Sequence, residues 1–431
     1  MSALLTDFYE LTMAAGYFAA GKHRDTGVFE ITIRRLPKNR DFVVTSGLHR
    51  AIDFLLNLHF EADEIAWLRR LPHFSNTPLE FWDYLANLRF TGDVFAVPEG
   101  TVLYEGQPVM NIRAPLIEGQ IPETYLLASI TFETLIATKA ARVVRAARGR
   151  DVVEFGTRRA HTAETGVLGA RAAWIAGCAG TSNTLAGYRY GIPVMGTAAH
   201  SWIMSFESET AAFRQLQQLL GDRTIQLIDT YDTLEAARDV ARLGKPLWGV
   251  RIDSGDFVAL SKDVRKILDD AGLPEARIMA SGDLNEDKIA ELVSAGAPID
   301  SFGVGTELAT SADAPTMGIV YKLVEIESDG VTRPVAKTSP AKRTLPGAKQ
   351  LFRYPEYDLL ALHDECAAGS EALLKPCIIA GERVCPPEPA SRTRERTMAA
   401  LNPWPEKNRR TELSVALEEL SMEVALGRGS Q

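Results

Sequence analysis

The sequence predicts an α/β fold: an irregular, incomplete α/β barrel of about six to seven βα units with a flanking α+β sandwich domain. From Asp151 to Leu308 a short apolar, β-branched run, a glycine- or acid-rich turn and a helix-like stretch recur six times. The junctions read EFGTRRAH (154–161), GTAAHSW (196–202), DTYDT (229–233), RIDSGDF (251–257), SGDLNED (281–287) and GVGTEL (303–308). Strands that alternate with helices form parallel units, and six or seven of them fall short of a regular eight-stranded barrel. On either side of this block the pattern changes to short strands and amphipathic helices, so a β-rich domain is expected beside the mouth of the barrel.

In chain order, residues 1–136 mix strand-like GVFEITI (27–33) and GDVFAVPEGTVLY (92–104) with helix candidates around 47–58 and 61–71, an N-terminal α+β sandwich domain. A helix near 124–147 leads into the barrel, assigned to 137–325. VYKLVEIE (320–327), RPVAKTS (333–339) and QLFRYPEYDLLAL (350–362) alternate like antiparallel strands, so a β-rich segment is expected at 326–386. The polar tail, 387–431, opens on proline and charge and ends in the helix-like ELSVALEELSMEVA (412–425).

The chain has 431 residues, 46% hydrophobic and 24% charged, with a net charge of −9, which suits a soluble protein of two or three domains. No apolar run reaches the roughly 18 residues that span a bilayer, and MSALLTDFYELTM has neither the basic start nor the apolar core of a signal peptide. A cytoplasmic location is expected, with no membrane partner. The acidic balance and the lack of a basic stripe interleaved with aromatics argue against nucleic acid. Cys178, Cys366, Cys377 and Cys385 share no CxxC spacing, which in a reducing compartment reads as free thiols.

Parallel βα units place their chemistry at the carboxyl ends of the strands, where the six junctions fall. A rim of Arg, Asp, His, Gly and Thr suits a phosphorylated sugar. In GVGTEL, Gly303, Gly305 and Thr306 offer bare amides and a hydroxyl to a phosphate, or simply make a tight turn. Ser281, Gly282 and Asp283 precede a helix-like stretch at 284–296, where amides and the helix dipole favour an anion, or where Asp283 serves as N-cap. Arg251, Asp253 and Asp256 end an apolar strand, where a charge pointing into the core would be costly. Arg251 offers a fork to phosphate or carboxylate and Asp253 an acceptor to ribose hydroxyls, or the two form a structural ion pair. Arg158 and Arg159 follow Phe155, whose ring is either core or a stacking platform. His200 stands past the apolar IPVM beside Gly196, Thr197 and Ser201, and is either structural or catalytic.

The chain resembles bacterial nicotinate phosphoribosyltransferase, on long ordered strings. These run from TDFYELTMAAGYFAAG (6–21) and FTGDVFAVPEGT (90–101) through EFGTRRAH, GTSNTLAGYRYGIPVMGTAAHSW, RIDSGD and SGDLNEDKIAELVSAGAPIDSFGVGTEL to KTSPAKRTLPGAKQLFR (337–353). The resemblance covers at least residues 4–380. It implies an irregular barrel with a sandwich domain built from both chain ends, and a homodimer with active sites at the subunit interface. The implied reaction joins nicotinate to phosphoribosyl pyrophosphate with Mg²⁺, giving nicotinate mononucleotide and pyrophosphate, a salvage step of NAD biosynthesis assisted by ATP hydrolysis.

By that resemblance Phe155 and Tyr9 of the partner subunit sandwich the pyridine ring, and Arg251 and Asp253 hold its substituent and the ribose. Arg158 faces nicotinate and the pyrophosphate side, while Gly282, Asp283, Gly305 and Thr306 take the 5′-phosphate. Lys337, Lys342 and Arg343 are candidates for pyrophosphate contact, and His200 matches the histidine the family phosphorylates. Where nicotinamide-using relatives carry an aspartate, this chain has Ser182, which together with helix amides donates to a carboxylate instead of repelling it. A nicotinamide-using enzyme and a catalytically silent nucleotide-binding regulator remain alternatives. An aldolase- or isomerase-like barrel would want a lysine or carboxylate base at a strand end, and the one lysine among the junctions, Lys288, falls inside a helix.

Overall fold

The computed structural model describes residues 2–339, 343–407 and 409–427, folded as two compact units. The first comprises residues 1–135, 316–388 and 399–431, the second 136–315 and 389–398.

The first unit is built on a seven-stranded antiparallel sheet in the order Val331–Pro334, Gly318–Ser328, Thr26–Arg35, Pro108–Pro115, Asp93–Ala96, Lys375–Ile379 and Glu382–Arg383. Gly318–Ser328 pairs along nearly all of Thr26–Arg35, which is why the boundary falls at residue 316 and not after 325 as the sequence suggested. A four-stranded sheet joins Glu371–Ala372, Lys349–Arg353, Asp358–Leu362 and Thr411–Leu413. Helices Phe8–Ala19, Leu48–Leu56, Ala62–Leu68 and Leu79–Asn87 complete it, and Phe29, Ile31, Phe54, Phe81, Ile112 and Tyr321 are among its fully buried core side chains. Gly47, at φ +88°, starts Leu48–Leu56 where a Cβ would lie 2.6 Å from the Ser129 carbonyl, so no other residue fits that turn.

The second unit holds one parallel six-stranded sheet in the order Gly180–Thr181, Asp151–Glu154, Ser301–Val304, Arg277–Ser281, Gly249–Ile252 and Ile225–Leu227. The strands are buried nearly throughout, as expected of a parallel sheet covered on both faces. The last strand, Ser301–Val304, returns beside the first, Asp151–Glu154, so the order is that of a ring opened between Gly180–Thr181 and Ile225–Leu227, a curled half-barrel. Two strands differ from the expected set. Gly180–Thr181 pairs beside Asp151–Glu154, whereas the run before GTAAHSW contributes a single parallel bridge, Thr181 to Val194. Both are too short for a period-2 pattern to register.

Side chains set where the helices of this unit begin. Thr162, Asn183, Ser208, Asp232, Asp256 and Asn285 each accept an amide proton from the first turn of the helix that follows. Lys139, on the long helix Glu123–Ala146, is buried against the carboxylates of Glu286 (2.5 Å) and Asp313 (2.8 Å). Part of the expected tail belongs here: Arg394, on Ala390–Ala400, donates to the carbonyls of Trp174, Gly177 and Cys178, closing the end of helix Ala163–Ile175. All four cysteines are free, Cys178 and Cys377 buried.

Candidate functional site

The carboxyl ends of the six parallel strands carry a connected polar network, and Arg251 is its centre. Parallel pairing sets Arg251 beside Met279 on one side and Leu227 on the other, so the guanidinium rises among the loops after three strands. Its Nε donates to Ser281 Oγ (2.7 Å), Nη1 to Thr197 Oγ1 (2.7 Å) and Nη2 to Asp253 Oδ1 (2.6 Å). The same guanidinium carbon lies 5.7 Å from the centroid of the Phe155 ring. Ser281 in turn donates to Asp253, so arginine, serine and carboxylate form a closed triangle. Burial alone would push the Asp253 carboxyl up, but the Ser281 and Arg251 hydrogen bonds and the nearby charges of Arg251 and His200 hold it below the usual carboxylate range.

His200 opens the short helix His200–Met204, its side chain 41% exposed. Nδ1 lies 3.1 Å from Thr230 Oγ1 and Nε2 4.0 Å from Asp253 Oδ2. One ring nitrogen thus meets a hydroxyl while the other faces a carboxylate and remains open to solvent. A histidine so placed can exchange a proton at Nε2.

The floor is set by glycines. A Cβ on Gly303 would lie 2.5 Å from the Phe155 ring, and one on Gly156 would lie 2.3 Å from Ala309 Cβ. Gly282 adopts φ +100°, and a Cβ there would fall 2.1 Å from the Asp253 carbonyl. Ser281 and Gly303 are register neighbours, so the loops bearing Gly282, Asp283, Gly305 and Thr306 stand side by side. Gly305 precedes the short helix Thr306–Ala309. Asp283 has a left-handed backbone (φ 44°) and does not cap the next helix; Asn285 does, accepting from the Lys288 amide at 3.0 Å. Asp256 is the cap of Phe257–Asp270, with bonds from Val258 N and Ala259 N, and takes no part in the network.

Three further groups belong to the site. Glu154 is almost wholly buried and reaches both the Gly156 amide and Thr181 Oγ1 (2.5 Å), tying the Phe155 turn to the loop that carries Ser182. Burial raises its pKa, and those two donors oppose the rise. The Ser182 amide donates to the Glu154 carbonyl. Asp229, in DTYDT, accepts from the Asp253 amide (3.1 Å) and Ser254 Oγ (2.7 Å), while its Oδ1 is buried with no hydrogen-bond partner among the described residues. Thr197 is the third. Asp229 had a usable signal, a carboxylate at the end of an apolar strand, and Thr197 stood out only as a neighbour of His200; Glu154 had none.

Arg158 stands exposed on the single turn Thr157–Arg159 and makes no hydrogen bond among the described residues. Tyr9 is in the first unit, on helix Phe8–Ala19, with 47% of its surface exposed. Lys337 and Arg343 are also in the first unit, both exposed, and Lys342 lies outside the described residues.

Two family models match, the nicotinate phosphoribosyltransferase N-terminal domain over residues 4–131 and the nicotinate phosphoribosyltransferase family over 151–353. The chain is 45% identical over 395 residues to nicotinate phosphoribosyltransferase pncB2 of Mycobacterium tuberculosis (strain CDC 1551 / Oshkosh), covering 89% of this chain and 83% of that protein. It is 41% identical over 379 residues to nicotinate phosphoribosyltransferase of Bacillus subtilis (strain 168), covering 84% and 76%. Among solved structures, human nicotinic acid phosphoribosyltransferase superposes with a TM-score of 0.85 at 26% identity, over 97% of this chain and 99% of that one.

Proposed function

Because the chain belongs to the nicotinate phosphoribosyltransferase family, we propose that its strand-end network transfers phosphoribose from phosphoribosyl pyrophosphate to nicotinate, the salvage step of NAD biosynthesis. The observation that carries this reading is the Arg251–Ser281–Asp253 triangle beside the Phe155 ring.

As pyrophosphate departs, ribose C1 becomes oxocarbenium-like and the pyridine nitrogen attacks it. Positioning and electrostatics supply most of the rate in such a step. Phe155 gives the ring a flat apolar seat, and Arg251 directs its positive edge to the nicotinate carboxylate. Asp253, kept ionised, accepts from the ribose hydroxyls and faces the positive charge that develops on the sugar. The turns at Gly282–Asp283 and Gly305–Thr306 offer amides to the 5′-phosphate, and Arg158 has its fork free for pyrophosphate. Lys337, Lys342 and Arg343 are proposed to reach the pyrophosphate from the partner subunit.

The donor set suits Mg²⁺, a hard cation that takes oxygen ligands. Asp229, with its unpaired Oδ1, and the ionised Asp253 are the residues that would hold it. When bound, it neutralises charge on the leaving pyrophosphate. His200 is the proposed acceptor of a phosphoryl group from ATP, at the open Nε2. Ser182 favours nicotinate over nicotinamide, since a hydroxyl donates to a carboxylate that an aspartate would repel.

A homodimer is supported by large apolar side chains left exposed in each unit: Tyr188 (87%), Tyr231 (68%) and Met204 (63%) in the second, Leu5 (50%) and Tyr9 (47%) in the first. In that dimer Tyr9 of the partner subunit would stack on the ring opposite Phe155. No described helix is long and apolar enough to cross a membrane, and the reading places the enzyme in the cytoplasm. Incubation with phosphoribosyl pyrophosphate, Mg²⁺ and each pyridine, with and without ATP, tests all of this. Mononucleotide formed from nicotinate and stimulated by ATP is expected; binding without turnover would make the chain a silent relative.

A further inference from the structure

Strand Asp151–Glu154 ends one residue before Phe155, and the side chains on either side of Glu154, Val153 and Phe155, pack into one apolar cluster with Ile225 and Met279. Side chains alternate along a strand, so Glu154 points to the opposite face of the sheet, where it is 2% exposed. Its carboxylate therefore lies behind the ring and out of reach of anything that stacks on it. Thr181, its register partner on the neighbouring strand, shares that hidden face.

A carboxylate buried without a cation is costly, and among the described residues no lysine or arginine forms a salt bridge with Glu154. What holds it is a pair of loops. One oxygen accepts from the Gly156 amide and the other from Thr181 Oγ1 at 2.5 Å. Thr181 Oγ1 accepts in turn from the Asn183 amide (2.9 Å), and the Ser182 amide donates to the Glu154 carbonyl (2.9 Å). Ser182 thus has its own amide and both flanking residues tied to one glutamate. The Phe155 turn has no slack to compensate, since a Cβ on Gly156 would lie 2.9 Å from the Gly305 carbonyl as well as against Ala309. Alternation also puts Ser182 on the side of the ring. Gly180, two residues earlier, faces Met195 of the Phe155 cluster, where a Cβ would lie 3.2 Å from Met195 Cγ.

We propose that Glu154 is a positioning residue that sets the choice of base: from behind the sheet its two carboxylate oxygens fix the separation between the Phe155 ring and the Ser182 hydroxyl. The inference rests on the reading that Phe155 seats the pyridine and Ser182 meets its substituent. A serine hydroxyl can both donate and accept, so it does not by its chemistry alone prefer a carboxylate to an amide. Placement makes it choose. A hydrogen bond weakens steeply as its geometry departs from the ideal, and a loop free to shift would let the hydroxyl turn to suit either base. Glu154 removes that freedom while touching neither the base nor the sugar.

Steady-state kinetics with nicotinate and with nicotinamide separate the proposal from the reading beneath it. The unaltered enzyme must prefer nicotinate and Ser182→Ala must narrow that preference; if either fails, the reading falls and the proposal with it. Thr181→Val then removes the hydroxyl that joins the two loops while keeping its shape, and Glu154→Gln presents an amide where the carboxylate accepted. Each should narrow the ratio of kcat/KM for the two bases about tenfold, the worth of one hydrogen bond, by raising KM for nicotinate with the KM for phosphoribosyl pyrophosphate little changed. Thr181→Ser keeps the hydroxyl and should restore the ratio. The double variant Thr181→Val with Glu154→Gln should be little worse than either single one, because both break the same link, and additive losses overturn the proposal. So does an unaltered preference in Thr181→Val and Glu154→Gln when Ser182→Ala narrows it, which spares the reading. An equal rise in KM for both substrates would mark a merely structural role and overturn it too. If Glu154→Gln does not fold, Thr181→Val against Thr181→Ser decides from the other side of the link.

Discussion

The guanidinium of Arg251 overlies the ring of Phe155, 5.7 Å from its centroid, although nearly a hundred residues separate them in the chain. The two come together because the strand that ends at Glu154 and the strand that holds Arg251 lie in one parallel sheet with only two strands between them. The contact brings a cation and a flat apolar face to the same spot, as recognition of an aromatic carboxylate requires.

Arg251→Ala should lower kcat/KM by about 10²–10³, the usual effect of removing a charge-assisted contact made in the transition state. Because the side chain also holds Ser281, Thr197 and Asp253, the variant should melt at a lower temperature, with about 1–3 kcal/mol lost through the orphaned Asp253. Arg251→Lys keeps the charge but not the fork and should restore little activity. Near-normal turnover of the alanine variant would remove Arg251 from the site.

Gly303→Ala sets a methyl group against the Phe155 ring, which must tilt. The expected result is a KM for nicotinate raised by about tenfold with the KM for phosphoribosyl pyrophosphate little changed, since about 1–3 kcal/mol of overpacking falls on the ring seat. A normal KM for both substrates would show that the base does not lie on Phe155.

Ser182→Asp should weaken the use of nicotinate far more than that of nicotinamide. The new carboxylate faces one ring substituent of like charge and another that can donate to it. Assays of both bases at saturating phosphoribosyl pyrophosphate decide this, and equal losses would mean that position 182 does not read the substituent.

His200→Ala should lose ATP hydrolysis and ATP stimulation while keeping measurable synthesis at high phosphoribosyl pyrophosphate. Loss of an essential general base would instead cost about 10²–10⁴ in rate with or without ATP. Incubation with γ-labelled ATP should label the unaltered enzyme in an acid-labile, alkali-stable form and leave the variant unlabelled. Labelling of the variant would put the phosphate elsewhere.

Much of the site was legible because a parallel sheet exports its chemistry to one edge, so charged or glycine-rich residues after an apolar run announce themselves. Arg251, Asp253, Gly282 and Gly303 were all found this way. What escaped depends on space and not on pattern. Gly180–Thr181 is a strand only because Asp151–Glu154 lies beside it. Asp283 looked like an N-cap, yet its left-handed backbone passes that role to Asn285 two residues on. Gln120 bridges Glu10 and Glu123, 113 positions apart on two helices, and each carboxylate alone looks like an ordinary solvated charge.

The Arg394 contacts give the carboxyl-terminal stretch a meaning its composition hides. Proline and charge at 386–396 look like a dispensable trailer, yet this arginine is the stopper of a helix that began more than 220 residues earlier. Its guanidinium also lies 5.2 Å from the Trp174 ring centroid. A protein shortened at residue 388 would therefore bare the end of the helix just before the Ser182 loop, and damage from a clipped terminus would be felt at the choice of base.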